Sequence, residues 1–457
     1  MFKLCTLGII LCVLAPSHET SPGTVVRVNQ EALEYVSQQG RPFLLKGLLA
    51  IQIPAFKPKG LIFGSLLNIV GIHIKEVQLP HISVKLIPKT GVQISFSSKL
   101  HIKGNICEWK LGSSITLDVR VSRSPHGCPV LSITACKSML ADFQVLLGGH
   151  NLLGFVRPMQ DFFRAMLVDK MCLSVSSVIL DLNVKLGTIA GMKPITPMSH
   201  LQYSMMDEPE ITSEYIDLDM DTAFELMGKP LEDSSPVPPF SLPPQVTAAD
   251  DSMVNMGLSN YMFEHFFQTL EQSGAFNMHL AGKPGSGDFY LSTSQLHSAI
   301  PSLAERYPND VAIALNVVLA RVPLVTLKEG LAMVTISPSI QLAVASSASS
   351  SETLCTLGCE LTLALKLDVT PTSIEIAVAL RGEIGLEVVS SSVRDVQVGR
   401  LRGIIVSMIE KTFLAHINTV LSAGVSLPKM ANLQYVEGDI EIHEGYAQVN
   451  CDLEYVP

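Results

Sequence analysis

The pattern of hydrophobic and polar positions in the first half of the chain begins with helical spacing and then alternates. Apolar residues recur at intervals of three and four between Val25 and Gln39, which predicts an amphipathic helix that ends at Gly40. Strict alternation over Ile82–Leu86 and again over Val92–Phe96, on either side of a Pro-Lys-Thr-Gly turn, predicts a β-hairpin with one buried face. Further alternating runs predict strands at 115–121 and 131–136. Successive strands of this length indicate a strongly twisted antiparallel sheet or barrel.

The period changes again after this β region. Phe155, Met159, Phe162 and Met166 follow the i, i+4, i+7, i+11 spacing of one helix stripe, and we expect that helix to end near Lys170. The alternating residues of 178–186 and of 215–226 predict two more strands.

The second half of the chain repeats this order of elements. A helix is predicted between Leu258 and Leu270, ending at Ser273-Gly274, and a second long helix between Leu401 and Leu421. Strands are predicted between and after them, at 311–319, 361–369, 374–380 and within 435–455, with a hairpin that turns at 328–330. Helix, β region, helix and strand therefore occur twice, which suggests duplication of one domain. The predicted fold class is α+β, with two similar barrel-like domains that each combine a twisted antiparallel sheet with long amphipathic helices.

A proline-rich stretch divides the two halves. Five prolines fall within nine residues of 234–246, and such a segment runs extended because proline lacks a backbone donor and fixes φ. We therefore expect an N-terminal domain at 18–233, a linker at 234–246 and a C-terminal domain at 247–457. Residues 1–17 have the basic residue, apolar run and small residues at the cleavage site of a secretory signal peptide. A membrane anchor is the alternative, but the run is shorter than the roughly 20 residues that span a bilayer.

The composition is unusually apolar. Hydrophobic residues make up 47% of the chain and charged residues 16%, against roughly 25% charged in a typical soluble protein. A long helix that lies across a curled sheet leaves an apolar slot, a type of concavity that accepts an acyl chain. The alternative is a slot filled by the protein's own side chains. The candidate lipid-binding residues on the predicted helices are Leu33, Val36, Phe155, Met159, Phe162, Met166, Phe263, Phe267, Ile405, Met408, Ile409 and Phe413.

Sequence motifs for catalysis, cofactors and metals are absent. The chain has no zinc-protease His-Glu-x-x-His, no Gly-x-Ser-x-Gly elbow, no dinucleotide-binding glycine motif and no phosphate-binding lysine loop. Cys355 and Cys359 have no second pair and no nearby histidine, so zinc is disfavoured. We therefore predict a protein that is not an enzyme, with no catalytic residues, no cofactor, no metal and no nucleic-acid partner.

Seven cysteines remain if the leader is removed, an odd number that leaves at least one unpaired or paired between chains. Cys136 at the end of a predicted strand and Cys172 at the end of a predicted helix could form one bridge, but spacing alone leaves several pairings open. The fates of Cys107, Cys128, Cys355, Cys359 and Cys451 are open in the same way.

Several short landmarks resemble one family. The opening Pro22–Asn29, Cys172–Ser176, Tyr203–Met205, Gly228–Pro230 and Glu444–Tyr446 are similar, in sequence and order, to those of the BPI/LBP/PLUNC superfamily, and within it to BPI fold-containing family B, the long PLUNC group. Each landmark is weak alone, but the order, total length and proline-rich spacer make the resemblance specific over the whole mature chain.

The resemblance implies an elongated boomerang of two barrel-like domains joined by a central sheet, with an apolar lipid pocket beside that sheet in each domain. It also implies a disulfide between Cys136 and Cys172. Family members that bind lipopolysaccharide use a cationic N-terminal tip, for which Lys85, Lys89, Lys99 and Lys103 are candidates here. The alternative is that they are ordinary solvated loop residues.

The function expected from the residues and the resemblance together is that of a secreted, extracellular lipid-binding protein. It would hold phospholipid or other acyl lipid, have no transmembrane segment after leader removal, and act in innate mucosal defence. The alternatives are recognition of lipopolysaccharide or bacterial surfaces through the basic tip, and a structural or matrix protein that keeps the fold. Basic residues outnumber acidic ones by nine over 18–200, but the net charge of the chain is −10, which argues against direct bactericidal action.

Overall fold

The structure, a computed structural model, describes residues 21–57, 68–79, 82–151, 156–231, 239–244, 252–281, 290–344 and 352–456. The predicted leader and much of the proline-rich segment lie outside these ranges. The strands form three antiparallel sheets, and two of these belong one to each half of the chain. The third, the central sheet, takes strands from both halves, so the α+β class with two barrel-like sheets joined by a central sheet is confirmed.

The first half supplies one sheet of its own and part of the central sheet, with two long helices. The N-terminal sheet is made of β2 to β7, and β1 and β8 to β12 lie in the central sheet. The strands are β1 (Thr24–Asn29), β2 (His73–Gln78), β3 (Ile82–Ile87), β4 (Gly91–Lys103), β5 (Glu108–Arg123), β6 (Pro129–Leu147), β7 (His150–Asn151), β8 (Lys193–Thr196), β9 (Ser199–Met205), β10 (Glu210–Ile211), β11 (Tyr215–Leu226) and β12 (Lys229–Pro230), and the helices are α1 (Gln30–Leu49) and α2 (Val156–Leu186).

The second half is built in the same order. Strands β14 to β22 form the C-terminal sheet, and β13, β23 and β24 join the central sheet. The strands are β13 (Val254–Ser259), β14 (Met278–Leu280), β15 (Leu291–Ser292), β16 (Ala312–Leu319), β17 (Leu324–Lys328), β18 (Leu331–Ile336), β19 (Pro338–Val344), β20 (Glu352–Val369), β21 (Ser373–Ser391), β22 (Val425–Ser426), β23 (Leu433–His443) and β24 (Tyr446–Tyr455). The helices are α3 (Asn260–Gln272), α4 (Thr293–Leu296), α5 (Ser302–Arg306) and α6 (Val398–Leu421), the last with a π-helical turn at Ile409–Phe413.

The central sheet shows the internal symmetry that the repeated order of elements suggested. Strand β13 begins 230 residues after β1, and the two strands pair antiparallel in the middle of the sheet. Val26 pairs with Met256, which is its own counterpart 230 residues later, and Thr24 pairs with Leu258. The pairing is thus symmetric about the Val26–Met256 pair. The division into domains at 234–246 stays a prediction.

The outer face of the central sheet holds a buried ion pair that also anchors part of the proline-rich segment. Arg27 donates from Nε and Nη2 to the two carboxylate oxygens of Asp217, at 2.8 and 2.7 Å. Its Nη1 donates to the carbonyl oxygen of Pro243 at 2.7 Å, and its guanidinium lies 3.8 Å from the ring centre of Tyr215. A side chain at Gly257 would collide with Phe240, so the segment crosses the sheet at a residue with no side chain.

The prediction for the first helix was wrong at both ends. Thr24–Asn29 is a fully buried strand of the central sheet, and the helix runs on to Leu49 through Gly40 and Pro42. Val25 and Val28 continue the three-and-four spacing of the helix that follows, so periodicity alone does not separate this strand from the helix.

The predicted strand at 178–186 was also wrong, because these residues continue α2, which does not end near Lys170. Their alternation is produced by two helical stripes, each with a spacing of four. Val178, Leu182 and Leu186 face inward, whereas Leu180 and Val184 are 66% and 76% exposed. A helix with apolar residues on two opposite faces therefore imitates the period of a strand.

The predicted disulfide is present. Cys136 on β6 and Cys172 near the middle of α2 are bonded, with their Cα atoms 6.1 Å apart, so the bridge ties the helix to the N-terminal sheet. The other five described cysteines are free and buried. Burial raises the pKa of Cys355 to about 11 and that of Cys359 and Cys451 to about 12, which keeps these thiols neutral and unreactive.

Helix α6 is long and apolar enough, by length and composition, to cross a membrane. Its stripe from Leu401 to Leu421 is buried against the C-terminal sheet, as expected for the core helix of a folded domain. Length and composition alone are weak evidence for a membrane span, and the buried stripe makes this helix part of the core.

Candidate functional site

A cavity of about 330 Å³ lies in the N-terminal half, between α1, the C-terminal part of α2, the N-terminal sheet and the central sheet. Its walls are almost entirely apolar. Strand residues such as Val84, Val119 and Leu218 form one side, and the helices form the other. This volume falls in the range of roughly 300–1,000 Å³ that is typical of small-molecule pockets.

The two helices present their apolar stripes to the cavity. Leu33 and Val36 contribute from α1, while Val178, Leu182 and Leu186 contribute from α2. The helices also meet at the rim, where Lys185 and Asp181 form an i,i+4 ion pair at 3.4 Å and the Lys185 ammonium lies 5.3 Å from the ring centre of Phe43. Lys185 and Asp181 are the charged residues of the lining, so their pairing leaves the rim nearly neutral.

The cavity interrupts the hydrophobic core of the N-terminal half. One core cluster, the tip cluster, contains Trp109, Phe163 and Leu100, at the end of the N-terminal sheet that lies away from the central sheet. The other, the main cluster, continues from the central sheet through the C-terminal half. Residues of both clusters line the cavity, so the cavity lies between the tip cluster and the main cluster.

Residues from the second half of the chain close one end of this cavity. Met430, Leu433, Leu453 and Tyr455 belong to its lining, and Tyr455 is held by a hydrogen bond from its backbone N–H to the hydroxyl of Tyr35 on α1, at 3.0 Å. The central sheet therefore completes a site whose other walls belong to the N-terminal half.

The structure separates the candidate lipid-binding residues of the first half. Leu33 and Val36 line the cavity. Met159, Phe162 and Met166 lie instead on the part of α2 that packs in and against the tip cluster, where the Phe162 ring lies 4.7 Å from that of Phe56. Phe155 lies outside the described residues. Lipid binding by any of these residues stays a prediction.

The candidate residues of the second half are all buried in the main cluster. Each is at most 1% exposed, and none of them lines the apolar cavity of the N-terminal half. These residues are Phe263, Phe267, Ile405, Met408, Ile409 and Phe413. The rings of Phe266 and Phe267 meet edge to face at 5.7 Å, and those of Phe267 and Phe276 stack at 6.2 Å. A lipid site at these positions likewise stays a prediction.

Sequence reasoning missed the inward stripe of α2. Val178, Leu182 and Leu186 were assigned to a strand, although their spacing of four residues was a usable helical signal. The lining residues from β23 and β24 could not be found from sequence, because nothing local shows that the end of the chain returns to the first half.

The four candidate lysines are exposed but do not form one patch. The backbone N–H of Lys89 bonds to Ile211 O, which places the β3–β4 turn beside the central sheet. Lys103, at the other end of β4, lies roughly 40 Å away along the strand. Lys85 lies near the turn, on β3, and Lys99 lies near Lys103.

The outer end of β4 gathers more lysines than the turn end, because Lys75 on β2 and Lys110 on β5 lie beside the end that carries Lys99 and Lys103. Lys75 and Lys103 lie close enough to Glu108 to contribute to the low pKa of its carboxyl, although the hydrogen bond from His101 is the main cause. Within the described part of the chain, no group of three or more His, Cys, Asp or Glu residues could hold a metal ion.

Comparison with known proteins covers the whole chain. The model of the LBP / BPI / CETP family N-terminal domain matches residues 32–183, and that of the C-terminal domain of the same family matches residues 195–455. The chain is 32% identical to human BPI fold-containing family B member 2, over 98% of both proteins. It is also 32% identical to the mouse protein of that name, over 100% of both.

A solved structure shares the fold. A crystal structure of lipopolysaccharide binding protein superposes with a TM-score of 0.62 over 96% of this chain and 100% of that one, at 19% identity. At this identity the match supports the shared architecture of two barrel-like sheets and a central sheet.

Proposed function

The chain belongs to the LBP / BPI / CETP family, within BPI fold-containing family B, and on that premise we propose that it is a secreted lipid-binding protein whose N-terminal cavity holds acyl chains. The observation that carries the proposal is the almost wholly apolar lining of a 330 Å³ cavity between α1 and α2. An empty apolar cavity is costly for a protein, at roughly 24 cal/mol for each Å³ in core substitutions, and an acyl chain would recover the lost contacts.

The neutral rim fits this ligand class. Acyl chains carry no charge, so the rim over which they pass needs no net charge, and the Lys185–Asp181 pair leaves it nearly neutral. Relatives whose names refer to lipopolysaccharide binding and bactericidal activity support lipid as the general partner class. Secretion, innate mucosal defence and the two-domain division at 234–246 are parts of the same proposal.

The proposal is tested by lipid extraction and mass spectrometry of the full mature protein after secretion from cultured cells. Wild type should carry acyl lipid. Leu182→Trp and Val36→Trp place an indole in the cavity and should reduce the bound lipid to little or none. Leu180→Trp is the matched control, because Leu180 lies on the exposed face of the same helix. Lipid retained in both cavity variants would contradict the N-terminal location.

A second candidate function is recognition of anionic bacterial surfaces. It is favoured by the basic outer end of β4, where Lys99, Lys103 and Lys75 lie on neighbouring strands. Binding to lipopolysaccharide would weaken with salt because exposed charges are screened. Replacement of these three lysines by Glu should abolish it, and the same change at Lys85 and Lys89, near the other end of β4, should have little effect.

A further inference from the structure

A second pocket, here called the lysine pocket, adjoins the apolar cavity. It has a volume of about 440 Å³ and lies where β8 of the central sheet meets the Pro371–Thr372 turn and the chain between β22 and β23. Ala431, Asn432 and Leu433 line both spaces. The two pockets therefore lie on opposite sides of one turn of the chain.

The charge of the lysine pocket contrasts with the neutral rim of the apolar cavity. Lys193 and Lys429 both line it, and its lining contains no acidic residue. Within the described residues, neither lysine forms an ion pair. Burial lowers the pKa of Lys193, and the nearby charge of Lys429 lowers it further. Two unpaired ammonium groups that repel each other across a pocket favour an anion between them.

The remaining polar groups of the pocket suit an oxyanion as well. The backbone is largely committed to internal bonds: Tyr435 N–H donates to Pro371 O at 3.1 Å, and Leu427 N–H donates to Thr372 O at 2.9 Å. The Thr372 hydroxyl and the side-chain amides of Asn432 and Gln434 remain as donors beside the lysines. Several donors with two cations around a concave space are the arrangement that binds phosphate.

We propose that the lysine pocket binds the phosphate of a lipid headgroup while the chains of the same lipid occupy the apolar cavity. This inference rests on the function proposed above and specifies the ligand further, as an anionic phospholipid. The lipid would bend over the turn at Ala431–Leu433, which lines both pockets, so that its chains lie on one side of the turn and its phosphate on the other. A free phosphate ion has the same chemistry, so the test must distinguish the two sources.

The test compares two lipids with identical fluorescent acyl chains, phosphatidic acid and diacylglycerol, on the full mature protein. Wild type should bind phosphatidic acid about tenfold more tightly, a factor typical of one charge-assisted contact. The double variant Lys193→Gln/Lys429→Gln should lose that preference and keep its affinity for diacylglycerol. Lys328→Gln/Lys411→Gln is the matched control, since both lysines are exposed and line neither pocket.

The outcomes separate this inference from the proposal on which it rests. If both lipids bind but the preference is absent, or survives loss of Lys193 and Lys429, the phosphate site is wrong and the apolar site stands. If neither lipid binds, the apolar site fails. The last experiment measures binding of inorganic phosphate by ³¹P NMR. If phosphate alone binds tightly, and binds equally well when Leu182→Trp fills the apolar cavity, the site is one for a free ion and the headgroup assignment is wrong.

Discussion

In the N-terminal half, α1 and α2 leave a cavity between themselves and the sheets, whereas the corresponding helices of the C-terminal half, α3 and α6, each bury one apolar stripe in the main cluster. Both α1 and α3 follow a paired strand of the central sheet, so the difference does not come from topology. It comes from side chains. In its first two turns α1 presents Ala32, Leu33 and Val36 to the cavity, whereas α3 buries three phenylalanines.

The comparison shows how a duplicated fold can keep a pocket in one copy and fill it in the other. Aromatic side chains bury roughly 150–250 Å² each, so a few of them fill a space that aliphatic residues leave open. The main cluster is accordingly continuous through the described C-terminal half, while the core of the N-terminal half is divided by the cavity. The predictions below test this contrast.

The largest effect is expected from a substitution that creates a cavity in the closely packed C-terminal half. Phe267→Ala should lower the free energy of unfolding by about 3–5 kcal/mol, because Phe267 is fully buried and its removal leaves a cavity. Leu33→Ala, at the edge of the existing cavity, should cost only about 1 kcal/mol, because Leu33 already faces empty space. Urea denaturation of both variants measures the difference, and equal losses would mean that the two halves are packed alike.

The disulfide should stabilise the N-terminal half alone. It closes a loop with a sequence separation of 36 residues, and its removal by Cys136→Ser and Cys172→Ser should cost about 2–4 kcal/mol. Trp109, the only tryptophan of the chain, is buried in the tip cluster, so its fluorescence follows unfolding of this half. Cys128→Ala is the control, as a buried free thiol in the same half. An unchanged Trp109 transition in the double variant would show that packing alone holds α2.

A pH titration tests whether the lysine pocket and the neutral rim of the apolar cavity differ in charge as we infer. The pKa of Lys193 is lowered, so Lys193 loses its proton below the ordinary lysine value of 10.5 and the pocket loses charge as the pH rises through that lowered pKa. Affinity for phosphatidic acid should fall by up to about tenfold over that range, and affinity for diacylglycerol should not change.

Lys429→Gln removes the second of the two causes that lower the pKa of Lys193, so the fall should move to higher pH in that variant. A fall at the same pH in wild type and variant would mean that Lys429 does not act on Lys193. A parallel fall for diacylglycerol would indicate unfolding instead of titration.

The sequence predicted the architecture better than the site. The hairpins, the strand at Tyr215–Leu226 and the long helix of the second half follow from clear local periods, and the structure contains all of them. The stripe of α2 was misassigned because apolar residues lie on both of its faces. The packing of Ile405 and Phe413 could not be predicted, since periodicity identifies the inward face of a helix but not whether that face meets side chains or space.

The lysine pocket was also beyond sequence reasoning. Lys193 and Lys429 are more than two hundred residues apart and belong to opposite halves of the chain, and they meet only because the central sheet takes strands from both. Pairings between residues so distant in sequence depend on topology, which has no local signature.

The smallest effect concerns the turn that separates the two pockets, which is part of the end of the N-terminal cavity that the C-terminal half supplies. Ala431 has a φ of 54°, a left-handed conformation that costs a residue with a side chain about 1–2 kcal/mol. Ala431→Gly should relieve this strain, and after the entropic cost of glycine the net gain in stability should be about 0.5 kcal/mol. Ala415→Gly, at an exposed position inside α6, is the matched control and should instead cost about 1 kcal/mol. Urea midpoints that move in opposite directions in the two variants would establish that the turn is strained. A loss of stability in both variants would mean that Ala431 adopts an ordinary conformation in solution, so that the wall between the pockets differs from the one described.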